Sequence, residues 1–570
     1  MGGRHGAHDQ HRGAGIQDLR TNGYFYVDKT GFVRDWWRSG DQVTLICRPR
    51  RFGKTLNLDT VRCFLSAEFA GRGEELFGGL EVWGDPGMRA LQGTVPVVAL
   101  SFAKVKATCY DDMLRVICGI VSREVDGHPE LRGWEGLTDG DRERLAAVRP
   151  SMDAATCADA INLLCDLLRR RHGVAPVVRL DEYDAPMEAA WVYGYWDRAV
   201  GFLRQLMNAT FKTNPALGRA LITGVTRVSR ESIFSDLNNL TVVTTSTPKY
   251  QTCFGFTQAE VDEALAEYGM ASLRDDVRAW YDGFVFDGVG HIYNPWSLTQ
   301  FLESGGFFDA YWANTSGNGL VSEVVRGGDD ELKADFEELM RGGSVEKVID
   351  EQVVFSELRT RPNAVWALLL AAGYVVAPDP VPAMVATTPR RLRLTNREVE
   401  LSFDRMAEGW FAEAGGRYDR FVKSLLSGDA RTATRCLNDV TRACMSHFDG
   451  AGAPSESEPE RFYHGLVLGL LASLRGRYAV ESNRESGYGR YDVALVPNDG
   501  AKGADPAVVM EFKVFDSRYD GEGSLEDTVA RARAQIEERA YVAGLVERGI
   551  APERIRVYGI AFRGKECLVG

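Results

Sequence analysis

The sequence lacks any uninterrupted apolar run long enough to cross a bilayer. An apolar core is also missing from the opening residues, MGGRHGAHDQHRGAG, which are rich in Gly and His and are therefore predicted to be neither a signal peptide nor a membrane anchor. These absences predict a soluble, cytoplasmic protein with a disordered tail at residues 1–15 and no membrane partner.

Cysteine pairs of the C-x-x-C type are also missing. The ten cysteines are scattered along the chain and no histidine cluster accompanies them, which argues against a zinc site and favours reduced, mostly buried thiols.

An excess of basic residues is absent too, since the chain has 67 Lys and Arg but 80 Asp and Glu, which give a net charge of −13. This charge argues against a broad basic surface and against a protein that simply coats nucleic acid, although it leaves room for a locally basic active-site groove.

The 570 residues leave room for roughly three or four domains. Apolar, β-branched runs alternate with helical patterns through the first part of the chain, which predicts an open α/β fold with a mostly parallel sheet at 16–254. The predicted strands are QVTLIC, VPVVALSF, APVVRLD, RALITGV and LTVVTT.

The composition changes near residue 255. Thr257 and Glu260 form the pattern of a capping box, which predicts a helix at the start of a helical lid-like subdomain over 255–320. A helical middle region over 321–448 and a linker over 449–459, rich in Gly, Ala, Pro, Ser and Glu, are expected to follow. Residues 460–570 again mix strand and helix patterns and predict a C-terminal α/β domain, with one helix over SLEDTVARARAQIEERAYVAGLVERG.

The stretch RPRRFGKT resembles a phosphate-binding loop after the first predicted strand, although Arg48 stands where the usual pattern has its first glycine. Lys54 would reach the β- and γ-phosphates of ATP and Thr55 would bind Mg²⁺, while backbone N–H groups and the helix N-terminus meet the phosphate charge. Arg51, Phe52 and Gly53 complete the predicted loop. A basic turn before a helix is the alternative interpretation.

Two acids at the end of another predicted strand favour the nucleotide site. In VVRLDEYD, Asp181 fits the role of holding Mg²⁺, and Glu182 fits the role of polarising the attacking water. Together, the two strand ends predict ATP and Mg²⁺ as cofactors.

The C-terminal region contains a second constellation. Asp492 lies in one predicted strand, and Glu511 and Lys513 lie two residues apart, on one face of the next. The two carboxylates and the Phe512 carbonyl predict a site for one or two Mg²⁺ ions that activate a water to hydrolyse a phosphodiester. Lys513 would position or deprotonate that water, or stabilise the developing oxyanion charge.

The sequence allows two interpretations for each of several neighbouring residues. Glu460 is a metal ligand or a helix N-terminal charge, and His464 contacts the scissile phosphate or packs within its helix. Arg484, Glu485 and Arg490 meet the nucleic-acid backbone or pair among themselves, while Tyr541 is interpreted as a core residue.

Seven blocks resemble bacterial AAA-ATPase-like proteins that carry a C-terminal PD-(D/E)XK nuclease-like domain. They are YVDKT, RPRRFGKT, LDEYD, TGVTRVSRESIFSDLNNL, FGFTQAEV, WYDGF and YNPWSL, in the same order. The resemblance extends from about residue 15 to the end, and it makes Arg48 a family trait. It implies a P-loop fold of the additional-strand class, with Thr223 sensing the γ-phosphate and Gln535 orienting substrate or metal. Arg227 and Arg230 are candidates for an arginine finger, and the alternative for each is a surface or interface ion pair.

The sequence therefore predicts a P-loop ATPase joined through a helical middle to a Mg²⁺-dependent nuclease, in which nucleotide gates cutting. DNA is favoured over RNA as the partner, and a homo-oligomer is left open. The alternative is a nucleotide-dependent switch or assembly ATPase whose C-terminal domain binds nucleic acid or a partner without cutting.

Overall fold

The computed structural model describes residues 15–226, 233–234, 237–312, 330–340, 342–350, 362–379, 388–403, 417–445, 467, 474, 477–486, 489–498, 505–515, 523–563 and 566–570. The chain divides into two compact units. One comprises Met1–Val324 and Gly342–Val399, and the other comprises Val325–Arg341 and Glu400–Gly570.

A five-stranded parallel sheet organises the first unit. Its strands are β1 Val43–Cys47, β2 Val97–Ser101, β3 Val177–Asp181, β4 Arg219–Gly224 and β5 Leu240–Val243, in the order β2-β3-β4-β1-β5. All five lie within the predicted apolar runs, so the predicted parallel sheet is confirmed. β4 separates β1 from β3, which is the arrangement expected of the additional-strand class.

Helices cover both faces of this sheet. They are α1 Ile16–Asn22, α2 Gly31–Ser39, α3 Lys54–Leu65, α4 Gly73–Phe77, α5 Pro86–Leu91, α6 Tyr110–Asp126, α7 Asp139–Ala147, α8 Ala154–His172, α9 Ala185–Val192 and α10 Trp196–Met207. Leu164 and Leu203 pack with Ile222 on one face, whereas Val61 and Phe64 pack with Ile46 on the other. The near-continuous apolar character of the strands follows from this burial on both faces.

The rest of the first unit contains short strands among its helices. β6 Phe256–Thr257, β7 Phe284–Phe286 and β8 Val289–Tyr293 form one small antiparallel sheet beside α11 Gln258–Glu267, α12 Arg274–Tyr281 and α13 Pro295–Glu303. The capping box of Thr257 and Glu260 opens α11 as predicted. β9 Val345–Lys347, β10 Val375–Val376 and β11 Arg390–Leu394 form another, near α15 Pro362–Ala372. The middle region was expected to be helical, and strands this short leave too little alternation to be recognised in the sequence.

The second unit is built on a mixed five-stranded sheet. Its strands are β12 Tyr478–Ser486, β13 Gly489–Pro497, β14 Ala507–Val514, β15 Ile555–Arg563 and β16 Glu566–Val569, in chain order, and only β14 and β15 run parallel. The helices are α14 Asp330–Met340, α16 Arg417–Ser427, α17 Ala430–Met445, α18 Leu525–Glu538 and α19 Tyr541–Glu547. One sheet face packs on α16 and α17, and the other on α18 and α19.

Two details of the second unit differ from the sequence prediction. The single helix expected over residues 524–549 is interrupted at Ala540, which adopts a left-handed conformation with φ of 56° between α18 and α19. β16 was not predicted, and it pairs with β15 through residues such as Phe562 and Cys567. The predicted linker at 449–459 lies outside the described residues, so that boundary stays a prediction.

Within the described residues, no helix combines the length and apolar character needed to cross a membrane.

Candidate active sites

The RPRRFGKT stretch forms a turn from the end of β1 into α3. Gly53 has φ of 74° and Arg51 has φ of 67°, so two of the three residues before the start of α3 at Lys54 adopt left-handed conformations. Nothing lies within 4 Å of the position where a Cβ on Gly53 would stand. No side chain caps the start of α3, so the N–H groups of its first turn are left for a ligand, as at other helix N-termini that bind phosphate.

Lys54 is buried at the centre of this loop, with 7% of its surface exposed. Its ammonium donates to the carbonyl of Arg48 at 2.8 Å and to that of Pro49 at 2.7 Å. Burial lowers the pKa of Lys54 to about 8, opposed by the charges of Asp184, Asp181 and Glu182. A buried cation held by two neutral carbonyls suits an anionic ligand, because phosphate oxygens would supply the charge that the carbonyls lack.

Asp181 lies at the end of β3 and joins three elements of the fold. Its carboxylate accepts hydrogen bonds from the Thr55 hydroxyl of α3 at 2.7 Å and from the Thr223 hydroxyl of β4 at 2.6 Å. The parallel strands bring these groups together, since the carboxyl ends of β3 and β4 lie at one edge of the sheet. The carboxylate and the Thr55 hydroxyl are oxygen donors of the type that Mg²⁺ binds.

Glu182 follows in a left-handed backbone conformation with φ of 51°, which costs a non-glycine residue about 1–2 kcal/mol. Burial and the neighbouring Asp181 raise the pKa of its carboxyl, whereas Lys54 opposes the rise. The strained turn thus holds a basic carboxylate beside the loop lysine, as a residue that polarises water requires.

The structure also shows acids of this site that the sequence prediction left out. Asp184 accepts hydrogen bonds from the backbone N–H groups of Val225 and Thr226, at 2.8 and 3.0 Å, and so ties the end of β4 to the turn after β3. Glu188 of α9 accepts from Arg50 at 2.6 Å. The repeated acids of LDEYDAPME were visible in the sequence, but their partners are distant along the chain.

The side chains of three loop residues point to protein neighbours. The Arg48 guanidinium is fully buried and lies 4.7 Å from the centre of the Phe286 ring. Arg51 lies 4.5 Å from the Trp296 ring, and Phe52 packs against Phe284 at 4.7 Å. Any contact of Arg51 or Phe52 with phosphate therefore falls to their backbone N–H groups. The arginine-finger candidates Arg227 and Arg230 lie outside the described residues.

The second constellation gathers on the sheet face that packs on α18. Val493 pairs with Met510 in the antiparallel β13–β14 ladder, so the next step of the register places Asp492 opposite Glu511. Asp492 accepts a hydrogen bond from the backbone N–H of Phe512 at 2.7 Å. The Phe512 carbonyl points to the same side, because the N–H and C=O of one strand residue share a direction.

Glu511 is the most enclosed member of this constellation, with 1% of its surface exposed. One carboxylate oxygen accepts hydrogen bonds from Gln535 of α18 and from Lys513, the latter at 3.4 Å. Burial and the charge of Asp492 raise the pKa of Glu511 to about 7. Asp492, Glu511, Lys513 and Gln535, which the sequence analysis singled out, are thus brought together.

The donor set fits a hard divalent cation. The other oxygen of Glu511 is buried and has no hydrogen-bond partner among the described residues. Glu511, Asp492 and the Phe512 carbonyl would supply oxygen ligands, which Mg²⁺ prefers. The part of the chain that the structure describes holds no group of three or more His, Cys, Asp or Glu residues that could hold a metal ion, so a cation here would rely on two carboxylates together with the Phe512 carbonyl and water.

The remaining predicted residues divide into two groups. Tyr541 is buried in the cluster that includes Val509 and Ile536, as expected of a core residue. Glu460 and His464 lie outside the described residues, as do the side chains of Arg484, Glu485 and Arg490. Their roles stay predictions.

Comparison with known proteins matches two parts of the chain to family models. Residues 14–234 match the model described as "Predicted AAA-ATPase", and residues 458–570 match the PD-(D/E)XK nuclease superfamily. A relative described as "Uncharacterized protein in vnfD 5'region", from Azotobacter chroococcum mcd 1, is 28% identical over 565 residues, covering 96% of this chain and 95% of its own length.

Proposed function

We propose that this chain, which carries an AAA-ATPase-like region followed by a PD-(D/E)XK nuclease-like domain, is an ATP-gated, Mg²⁺-dependent nuclease. The N-terminal site binds and hydrolyses ATP, and the C-terminal site hydrolyses phosphodiester bonds of nucleic acid. ATP gates the cut and does not fuel it, because metal-assisted phosphodiester hydrolysis needs no nucleotide.

The nucleotide half is supported by the hydrogen bonds at the sheet edge. Lys54 would exchange its two carbonyl partners for phosphate oxygens, and Thr55 and Asp181 would hold the Mg²⁺ that accompanies ATP. Thr223 donates to Asp181 and therefore orients the metal-binding carboxylate, in addition to any role as a γ-phosphate sensor. Glu182 would orient the water.

The observation that carries the nuclease half is the convergence of Asp492, Glu511, Lys513 and Gln535 on one sheet face. A bound divalent cation would neutralise charge on the scissile phosphate and lower the pKa of a water. Glu511 and Asp492 would bind that cation, and Gln535 fixes the orientation of the Glu511 carboxylate. Lys513 would then turn from Glu511 to the attacking water or to the developing negative charge.

Cleavage of labelled DNA and RNA, each with Mg²⁺ or EDTA and with or without ATP, tests the proposal. We expect the protein to cut nucleic acid, DNA in preference to RNA, only with Mg²⁺. Glu511→Ala removes a metal ligand and should lower the rate by roughly a hundredfold or more. Glu537→Ala, which removes an exposed acid from the same helix as Gln535, should cut like the unaltered protein.

Equal folding of the two variants is checked by circular dichroism. If Glu511→Ala cuts as fast as the unaltered chain, the site assignment is wrong. If the unaltered chain cuts nothing under any nucleotide condition, the C-terminal domain binds nucleic acid or a partner without cutting.

A further inference from the structure

The arginines of the phosphate loop occupy three different environments. Arg48 is enclosed, with its guanidinium donating to the Cys47 carbonyl at 3.1 Å and lying over the Phe286 ring. Arg51 stacks on Trp296 of α13. Arg50 forms an ion pair with Glu188, an acid of the segment that follows β3.

The acid that holds Arg50 belongs to the same turn-and-helix segment as the catalytic acids. Glu188 lies on α9, four residues after Asp184, and its carboxylate is 2.6 Å from the Arg50 guanidinium. Both side chains are partly accessible, at 34% for Arg50 and 27% for Glu188. The pair therefore lies at the margin of the site and not in the core.

Arg50 lies beside the centre of the proposed nucleotide site. The carbonyl of the preceding residue, Pro49, accepts a hydrogen bond from the Lys54 ammonium at 2.7 Å. The partner of its guanidinium, Glu188, lies on the helix that follows the turn of Asp181 and Glu182. Arg50 therefore joins the loop that carries the lysine to the segment that carries the acids.

The backbone of Arg50 is held while its side chain can exchange partners. The Asn294 side chain donates to the Arg50 carbonyl at 3.2 Å, and Asn294 itself is fully buried at the start of α13. A change of partner for the guanidinium therefore need not move the backbone of Arg50. A terminal phosphate offers more negative charge than one carboxylate and accepts two parallel hydrogen bonds from a guanidinium, so it competes well with Glu188.

We propose that Arg50 is the residue that distinguishes ATP from ADP, by leaving Glu188 to bind the γ-phosphate. When no γ-phosphate is present, Glu188 holds the guanidinium beside the site. Because this ion pair must break before Arg50 binds the γ-phosphate, it lowers the affinity that the new contact adds. The arginine would also neutralise charge on the transferred phosphoryl group, as an arginine supplied in cis does. This inference rests on the proposed ATP-binding function of the loop.

Calorimetric titration of the full chain with Mg²⁺ and either ADP or the β,γ-imido analogue of ATP tests the inference. Arg50→Ala should lower the affinity for the analogue by roughly tenfold to a hundredfold, because a charge-assisted contact is lost, and leave the affinity for ADP within about twofold. Glu188→Gln should raise the affinity for the analogue and leave the affinity for ADP unchanged. The double variant should bind the analogue as weakly as Arg50→Ala alone.

A matched control is the exposed ion pair of Arg72 and Glu75, whose atoms are also 2.6 Å apart. Arg72→Ala should change neither affinity. Circular dichroism checks folding, and Arg50→Gln replaces Arg50→Ala if the latter does not fold.

If Arg50→Ala lowers the affinity for both nucleotides equally, or for neither, the assignment of Arg50 is wrong while the proposed ATP site stands. Failure of the unaltered chain to bind either nucleotide overturns the proposed function, and this assignment with it.

Discussion

At the scale of single residues, three ionisable side chains show how strongly burial inside the protein shifts a pKa. Lys54, Glu398 and Glu511 are each exposed by 7% or less. Burial lowers the pKa of Lys54 to about 8 and raises that of each glutamate to about 7. Lys54 and Glu511 belong to the two candidate sites, whereas Glu398 hydrogen-bonds Ser297 and Trp312, which belong to neither.

Glu398 gives a test of this burial that does not depend on activity. Its carboxylate accepts hydrogen bonds from the Ser297 hydroxyl at 2.8 Å and from the Trp312 backbone at 2.6 Å. The fold favours the neutral form, so its contribution to stability is present below the ordinary pKa of 4.5 and is lost as pH rises through about 7. Glu398→Gln keeps an acceptor and cannot ionise.

We therefore expect the melting temperature of the unaltered protein to fall more between pH 5 and pH 8 than that of Glu398→Gln. Thermal unfolding at the two pH values, followed by circular dichroism, measures the difference. Identical pH dependence of the two proteins would show that Glu398 is not buried in an environment that resists its charge.

At the scale of elements, the α16–α17 pair completes the C-terminal sheet. Thr434 of α17 accepts a hydrogen bond from the Val569 N–H at 3.0 Å, and Asn438 accepts one from the Cys567 N–H, also at 3.0 Å. These side chains satisfy backbone groups along β16, which would otherwise be an open edge. Phe421 and Leu437 also pack, fully buried, against the sheet.

This packing makes a prediction about where the C-terminal domain can be cut from the chain. A fragment of residues 400–570 should melt cooperatively, whereas a fragment of residues 456–570 lacks both helices and should lose stability and bind hydrophobic dyes. Leu437→Ala in the longer fragment should cost about 2–5 kcal/mol, because it leaves a buried cavity.

The two fragments are compared by thermal unfolding at equal concentration. If the shorter fragment melts as cooperatively and at the same temperature as the longer, the helices contribute nothing to the nuclease fold, and the domain begins within the predicted linker.

At the scale of the whole molecule, the question is whether the two proposed activities are coupled. If bound ATP gates the cut, Lys54→Ala, which loses its ligand for phosphate, should cut at one rate with or without ATP. Glu182→Gln should bind ATP, hydrolyse it slowly and still cut at the ATP-bound rate, because gating requires only occupancy. Cleavage and ATP hydrolysis are measured in the same samples.

Two results would contradict gating by occupancy. Loss of cutting in Glu182→Gln would mean that turnover drives the cut. An undiminished ATP response in Lys54→Ala would mean that the loop is not the site through which ATP acts.

The sequence by itself determined the elements whose signals are local. Apolar runs predicted the strands of the parallel sheet, the spacing of Thr257 and Glu260 predicted the start of α11, and the residues after strands indicated the loop lysine and the acid pairs. The D…E-x-K spacing placed Glu511 and Lys513 on one face, because the side-chain period of a strand is two. Such signals need only near neighbours in the chain.

Only the tertiary structure decided the partners of these residues. Arg48 is a buried cation beside Phe286, and Arg50 forms an ion pair with Glu188. Asp184, in the turn after β3, accepts a hydrogen bond from the backbone at the end of β4. The break at Ala540 and the covering of β16 by α17 also follow from packing. Each depends on groups brought together from distant parts of the chain or on fit against a neighbouring surface, which periodicity and spacing do not encode.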